Sequence, residues 1–306
     1  DVCSSDLLWH DRPAPPVGAI REMPVAISGE SSADKRKRVA AILAERNADY
    51  LAITQPDNIA WLLNVRGSDI PMSPVPNSFA LLSREGAVAW FVVPGKTHGL
   101  SASLLESLTL APEADFLPRS QQLCAGKRVM VDADSAPVAL RFAVEPQGEI
   151  VWHADPITAM KAHKNPTELA GYRDSHQQDG VAWVNFLAWL AHEVPRREAA
   201  GNPLTELEAQ AQQLVFRQQR PGFIEQSFAT ISASASNAAM CHYHASEQTN
   251  AAITRNHFYL NDSGGQYHNG TTDATRTLAF GPLSDQCRLH YTAVLKGFLS
   301  LITLQF

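Results

Sequence analysis
The stretch FYLNDSGGQYHNGTTDATRTLAF, residues 258–280, sets two apolar runs on either side of a glycine-, asparagine- and threonine-rich interval. An aspartate stands at the inner end of each run, Asp262 and Asp273. A carboxylate at the end of a hydrophobic strand is costly to bury unless a cation or strong donors satisfy it. If the runs pair as antiparallel strands, the two carboxylates come close and repel, and a shared proton or a bound cation relieves the repulsion. Hard oxygen donors suit Mn²⁺, Mg²⁺ or Ca²⁺, and Zn²⁺ with nitrogen help. The competing reading is that both aspartates cap a hairpin loop through bonds to its backbone. Spacing alone leaves both open.

Just upstream, TISASASNAAMCHYH (residues 230–244) places Asn237, His242 and His244 in an otherwise alanine- and serine-rich stretch after a strand-like run. A lone histidine is usually structural. A neutral imidazole beside a metal-carboxylate site suits proton transfer or substrate positioning.

The 306 residues leave room for two domains, each with a core. A net charge of -6 gives no reason to expect nucleic acid or an anionic membrane as partner. The basic run Lys35-Arg36-Lys37-Arg38 reads as a solvated helix face. Cys3, Cys124, Cys241 and Cys287 form no CxxC pair, which fits a reducing, cytoplasmic compartment better than a disulfide framework or a zinc knuckle. No apolar run reaches the length of a membrane span, and no charged-then-apolar leader opens the sequence. The glycosylation-like triplets at Asn261 and Asn269 are read as chance. DVCSSDL, residues 1–7, can be translated from a sequencing-library adapter and is read as non-native. VLKGFLSLITLQF stops inside an apolar helical pattern without a cap, so the chain is read as an internal fragment.

Residues 8–156 alternate helix and strand and are expected to form an α/β domain. A helix capped at Ser31-Ser32 runs to about Asn47, with Val39, Ile42 and Leu43 on one face. Tyr50 to Thr54 is a strand and Asp57 to Leu63 a helix. FALLS and AVAWFVVP form a hairpin around Arg84-Glu85-Gly86, and residues 128–134 and 149–155 are further strands. Residues 157–306 then read as α+β. Asn165, Pro166 and Glu168 fit N-cap, N1 and N3 of a long helix, and Thr205 with Glu208 forms a capping box. Gly180, inside the long helix, is expected to mark a close packing contact. Strands follow at Ser227 to Ser232, His257 to Asp262 and Ala274 to Phe280, and helix returns at Ser284.

Three segments together resemble a known family. LNDSGGQYHNGTTDATRTLAFG is similar to the first metal-binding segment of the M24 metallopeptidases, which have the pita-bread fold. AWLLNVRGSDIPMSPVPNSFALL resembles the middle domain of the longer Xaa-Pro aminopeptidases (aminopeptidase P), and AHKNPTELAGYRDSHQQDGVAWVNFLAWL resembles their linker helix. The resemblance runs from about residue 8 to the last residue. It implies a creatinase/prolidase-type amino-terminal α/β domain followed by an incomplete α+β pita-bread domain, with a further domain of the family upstream. It also implies that Asp262 binds one metal and Asp273 bridges two, usually Mn²⁺, and that His242 contacts substrate without ligating. A bridging hydroxide would then attack the carbonyl of an amino-terminal residue followed by proline. The implied partners are such peptides and, from the family's habit, a second copy in a homodimer.

Two departures stand out. Glycines of the family are Ala233, Ala235 and Ala238 here, and no segment matches the histidine and two glutamates that complete the family's ligand set; His257, His268 and His290 do not match. The chain by itself is therefore expected to bind metal weakly and not to hydrolyse peptides. The alternatives are a non-catalytic pita-bread binding module and a prolidase-type dipeptidase. Trp61, Arg66 and Asp69 read equally as holding their domain together or as contributing to a substrate entrance. Trp183 and Trp189 read as core, and Trp90 and Trp152 as strand packing.

Overall fold
The computed structural model describes residues 9–305, so the leader read at residues 1–7, Cys3 within it, and Phe306 lie outside the described residues. Two compact units divide between Gly171 and Tyr172, each with its own hydrophobic core.

The first unit is α/β. Helix α1, Ser32–Glu45, begins where the Ser31 hydroxyl accepts from the Asp34 backbone N–H. Lys35 lies on its inner face with Val39 and Leu43, one helical turn apart each, and is buried. The expected solvated face therefore holds only for Lys37 and Arg38, since Arg36 is half-buried. Lys35 Nζ donates to the Trp61 carbonyl (3.0 Å) and Asn64 Oδ1 (2.7 Å) and sits 4.1 Å from the centre of the Trp61 ring. After β1 (Tyr50–Ile53) and α2 (Pro56–Leu63), β2 (Phe79–Ser83) and β3 (Val88–Phe91) pair antiparallel around Gly86, whose φ of +85° suits a glycine. Next come β4 (Leu108–Ala111), α3 (Phe116–Leu123), β5 (Arg128–Val131), α4 (Val138–Val144), β6 (Glu149–Trp152) and α5 (Pro156–Ala162). The sheet order is β4-β3-β2-β1-β5-β6. Strands β1 and β5 pair parallel and are buried over their last three residues, as expected of strands covered on both faces.

Strand β4 and helix α3 are absent from the sequence reading because one is half exposed and the other carries Pro118 near its start. Trp90 is buried in the core, but Trp152, on the edge strand, is 49% exposed and is not a packing residue. Asp69 accepts from the Gly18 N–H (3.0 Å) and the Asn77 N–H (2.7 Å) and forms a fully buried ion pair with Lys96. Trp61 Nε1 donates to Glu168 (3.3 Å), and an Arg66 guanidinium nitrogen donates to the Val65 carbonyl (2.8 Å). Trp61, Arg66 and Asp69 thus all make bonds that hold this unit together.

Helix α6, Pro166–Ala199, opens at the end of the first unit and runs through the second. Its cap is reciprocal: Glu168 N–H donates to Asn165 Oδ1 (2.9 Å) and Asn165 N–H to Glu168 Oε2 (2.8 Å). Helix α7, Glu206–Gln218, has the capping box of Thr205 and Glu208. Strands β7 (Phe223–Gln226), β8 (Ile231–Ser234), β9 (Phe258–Ser263), β10 (Gly265–Tyr267), β11 (Gly270–Thr271) and β12 (Ala274–Ala279) follow, then helix α8, Asp285–Ile302, capped by Ser284. They form two small sheets, β8-β9-β12 and β11-β10-β7. The expected strand over 227–232 is displaced: residues 227–230 are not strand, and β7 and β8 lie on either side of them. Trp183, Phe186, Leu190 and Val194 of α6 pack with Ala209 of α7 and Tyr259 of β9, and Trp189 is partly buried against them.

Candidate metal centre
Strand β9 alternates. Tyr259, Asn261 and Ser263 are buried, while Phe258, Leu260 and Asp262 are only partly so. The buried set faces the helices, where Gln213 Nε2 of α7 donates to Asn261 Oδ1 (2.9 Å) and the Ser263 hydroxyl to the same oxygen (3.0 Å). Asp262 therefore lies on the opposite face, between Ile231 of β8 and Thr275 of β12 in register. Its Oδ1 is buried and has no hydrogen-bond partner among the described residues.

Asp273 immediately precedes β12, whose Ala274 pairs with Ser263 of β9. The interval between the aspartates is more than a loop, because it adds β10 and β11 to the second sheet before the chain returns. A tight neck closes this excursion. Thr272 N–H donates to the Gly265 carbonyl (2.9 Å), Gly265 N–H to Thr272 Oγ1 (2.9 Å), and the Ser227 hydroxyl to the Thr272 carbonyl (2.8 Å). A Cβ on Gly264 would lie 1.9 Å from the Thr272 carbonyl oxygen, so only glycine allows this approach. Farther out, Asp179 of α6 accepts from Arg217 Nε (2.7 Å) and the Tyr267 hydroxyl (3.0 Å), a buried cluster that ties β10 to both helices.

The neck brings the aspartates together as expected. Asp273 is exposed as a residue, yet its carboxyl is pushed above the ordinary carboxylate range. Partial desolvation of the carboxyl is the first cause; the charge of Asp262, and the hydrogen bond the two would share through a proton, are the second. The unpartnered Asp262 oxygen speaks against a pair of loop caps and fits a cation donor set. Among the described residues, no group of three or more His, Cys, Asp or Glu is placed to hold a metal ion. Gly180, expected to mark a close contact, has no atom of the described residues within 4 Å of a Cβ position. It lines a hollow of about 320 Å³ together with Trp183, Asp273 and Arg276.

His242 and His244 are exposed, with the buried Tyr243 between them. Tyr243 packs on Ile231 and Ala233 beside Leu260, the sheet face to which Asp262 also belongs. Asn237 does not turn toward the aspartates. Its amide donates to Glu206 Oε1 (3.0 Å) and the Tyr243 hydroxyl (2.8 Å). Glu206, missed in the sequence, is fully buried at the start of α7. An acidic residue after an N-cap looks like a helix-dipole partner, and nothing local marks it as a buried hub.

Residues 11–168 match the creatinase/prolidase N-terminal domain and residues 170–305 the metallopeptidase family M24. A probable Xaa-Pro aminopeptidase P of Pyricularia oryzae is 34% identical over 310 residues, covering 97% of this chain and 50% of that protein. One from Laccaria bicolor is 33% identical, covering 98% of this chain and 47% of its own length. The chain thus spans about half the length of the curated relatives it matches. The solved X-prolyl aminopeptidase of Caenorhabditis elegans, described as a cytosolic enzyme with a di-nuclear active site, superposes with a TM-score of 0.87 at 28% identity over 95% of this chain and 48% of its own. An Xaa-Pro dipeptidase from Bacillus anthracis, at 18% identity and a TM-score of 0.65 over 88% of this chain and 71% of its own, shares the fold.

Proposed function
Because the chain belongs to the M24 metallopeptidase family, with a creatinase/prolidase N-terminal domain ahead of its M24 domain, we propose that it is part of a metalloaminopeptidase that releases an amino-terminal residue preceding proline. The observation that carries this reading is the carboxylate pair: Asp262, with a buried oxygen lacking a partner among the described residues, beside Asp273, whose carboxyl is pushed up in part by that neighbour. Asp262 and Asp273 would hold a pair of divalent ions, with Mn²⁺ our choice of metal. Such a pair, when bound, activates water and polarises the scissile carbonyl.

The chain's own contribution is positional. The Gly264–Thr272 neck holds the two carboxylates at adjacent strand ends, so that neither must reorganise to meet a cation. His242 projects from a segment packed on the same sheet face and would contact bound substrate, as acceptor or donor of a proton at an imidazole nitrogen. Two carboxylates supply too few donors for two ions, so the 306-residue chain by itself binds Mn²⁺ weakly and leaves Xaa-Pro peptides intact. No helix among the described residues is long and apolar enough to cross a membrane. We place the enzyme in the cytoplasm because the Caenorhabditis elegans X-prolyl aminopeptidase it resembles is described as cytosolic.

The test is a length series of Xaa-Pro peptides given with Mn²⁺ to this chain and to a complete enzyme containing it. Cleavage of tri- and longer peptides by the complete enzyme supports the proposal. Activity on dipeptides alone would replace it with a prolidase-type dipeptidase, and no cleavage at all with a non-catalytic binding module. Cleavage by the 306-residue chain itself would refute the incomplete donor set.

A further inference from the structure
Outside the carboxylate pair, the most densely bonded buried charge in the second unit is Glu206. Its Oε1 accepts from the Ser234 N–H (2.6 Å) and Asn237 Nδ2 (3.0 Å), and its Oε2 from the Tyr243 hydroxyl (2.7 Å) and the Ala251 N–H (3.0 Å). These donors come from strand β8, from the segment that follows it, and from the return toward β9. Between Asn237 and Tyr243 the chain makes two consecutive turns, Met240 N–H to the Asn237 carbonyl (3.2 Å) and Tyr243 N–H to the Met240 carbonyl (3.1 Å). Both ends of this six-bond span are therefore tied to one carboxylate, and the Asn237 amide also donates to the Tyr243 hydroxyl (2.8 Å). The turn between them carries His242, whose side chain is exposed and, among the described residues, has no hydrogen-bond partner of its own.

We propose that Glu206 is the positioning residue for His242: one buried carboxylate, acting through Asn237 and Tyr243, fixes the turn that presents the imidazole on the sheet face of Asp262. The proposal rests on the role given to His242 above. The donor arithmetic explains why this must be a carboxylate. Two backbone N–H groups and an amide cannot turn their protons away, so an acceptor-only group is required. A glutamine would set its own NH₂ against one of those donors, leaving a buried clash or an unmade bond.

Tyr243→Phe removes one donor while keeping the ring packed on Ile231 and Ala233. In the 306-residue chain, hydrogen exchange of residues 237–251 should speed up about tenfold in this variant, with α7 and β9 unchanged, since losing a hydrogen bond to a charged group opens the segment locally. The His242 ring resonances, assigned by loss in His242→Gln, should shift and sharpen as the turn that carries them loosens. Glu206→Gln should give the larger effect, and if it does not fold Tyr243→Phe decides. Unchanged exchange and unchanged ring signals, or loosening spread evenly through α7 and β9, would overturn the proposal. If the complete enzyme keeps full activity with His242→Gln, the functional reading fails instead, and the exchange result for Glu206 stands on its own.

Discussion
Asp262 carries a buried oxygen without a partner among the described residues and lies beside a carboxyl whose pKa is raised, an imbalance that a cation removes. Asp273 is raised in the folded chain, so the folded state binds its proton more tightly than the unfolded state does. Stability therefore rises as pH falls through the folded value toward 3.8, and the repulsion is fully present above it. Asp262→Asn should flatten that rise and abolish stabilisation by Mn²⁺, which in the unmutated chain amounts to about 1.4 kcal/mol at ten times the dissociation constant; thermal melts across pH and Mn²⁺ concentration check both. Lys35 behaves oppositely. Burial holds its ammonium down at about 8 from 10.5, with the Glu168 and Glu30 charges only partly compensating. Between those values the unfolded chain binds more protons, so stability should climb from pH 8 to 10.5 by up to a few kcal/mol. Urea titrations of Lys35→Met at pH 7.5 and 10 should show that climb reduced, and an identical slope would mean Lys35 is not its source. Both features stood in the sequence, but only the approach of the two aspartates to one another could be read from it. Asp262 and Asp273 signal through strand ends that are local, whereas Lys35 is buried by Trp61 and Asn64, which approach from α2.

Two glycines separate what an element needs from what it tolerates. Gly264 sits where a Cβ would strike the backbone oxygen of Thr272, so Gly264→Ala must open the neck and move Asp273 away from Asp262. We expect a loss of about 3 kcal/mol or more, with the raised Asp273 carboxyl returning toward its ordinary range. Gly180 has open space around its Cβ position inside a long helix. Gly180→Ala should therefore stabilise the chain by about 0.5–1 kcal/mol, read as a shift in the denaturant midpoint with unchanged slope. Sequence reasoning expected a close contact at Gly180 because helix propensity says only that a glycine costs something there. Whether a neighbour or a hollow explains it depends on β12, which lies far along the chain. Helix starts, by contrast, were legible at Ser31, Asn165, Thr205 and Ser284, since each cap is made by residues within one turn of the start.

On the scale of the whole molecule, α8 presents an apolar surface that nothing among its own buried residues covers. Leu289, Val294, Phe298, Leu301 and Ile302 are all more than half exposed. An exposed apolar surface of this kind drives association. The 306-residue chain should therefore self-associate at micromolar concentration, and Val294→Lys with Phe298→Glu should shift it toward monomer in sedimentation without lowering its melting temperature. The sequence by itself determined the strand ends at Asp262 and Asp273, the helix caps and the α/β-then-α+β order, because these rest on side-chain periodicity and on contacts between near neighbours; the family came from the resemblance of three segments. Only the tertiary structure decided that the interval between the aspartates folds into a second sheet, that Glu206 gathers four donors from three separate segments, and that Lys35 is buried. Each of these depends on groups far apart in the chain meeting at one point, and no local pattern records such a meeting.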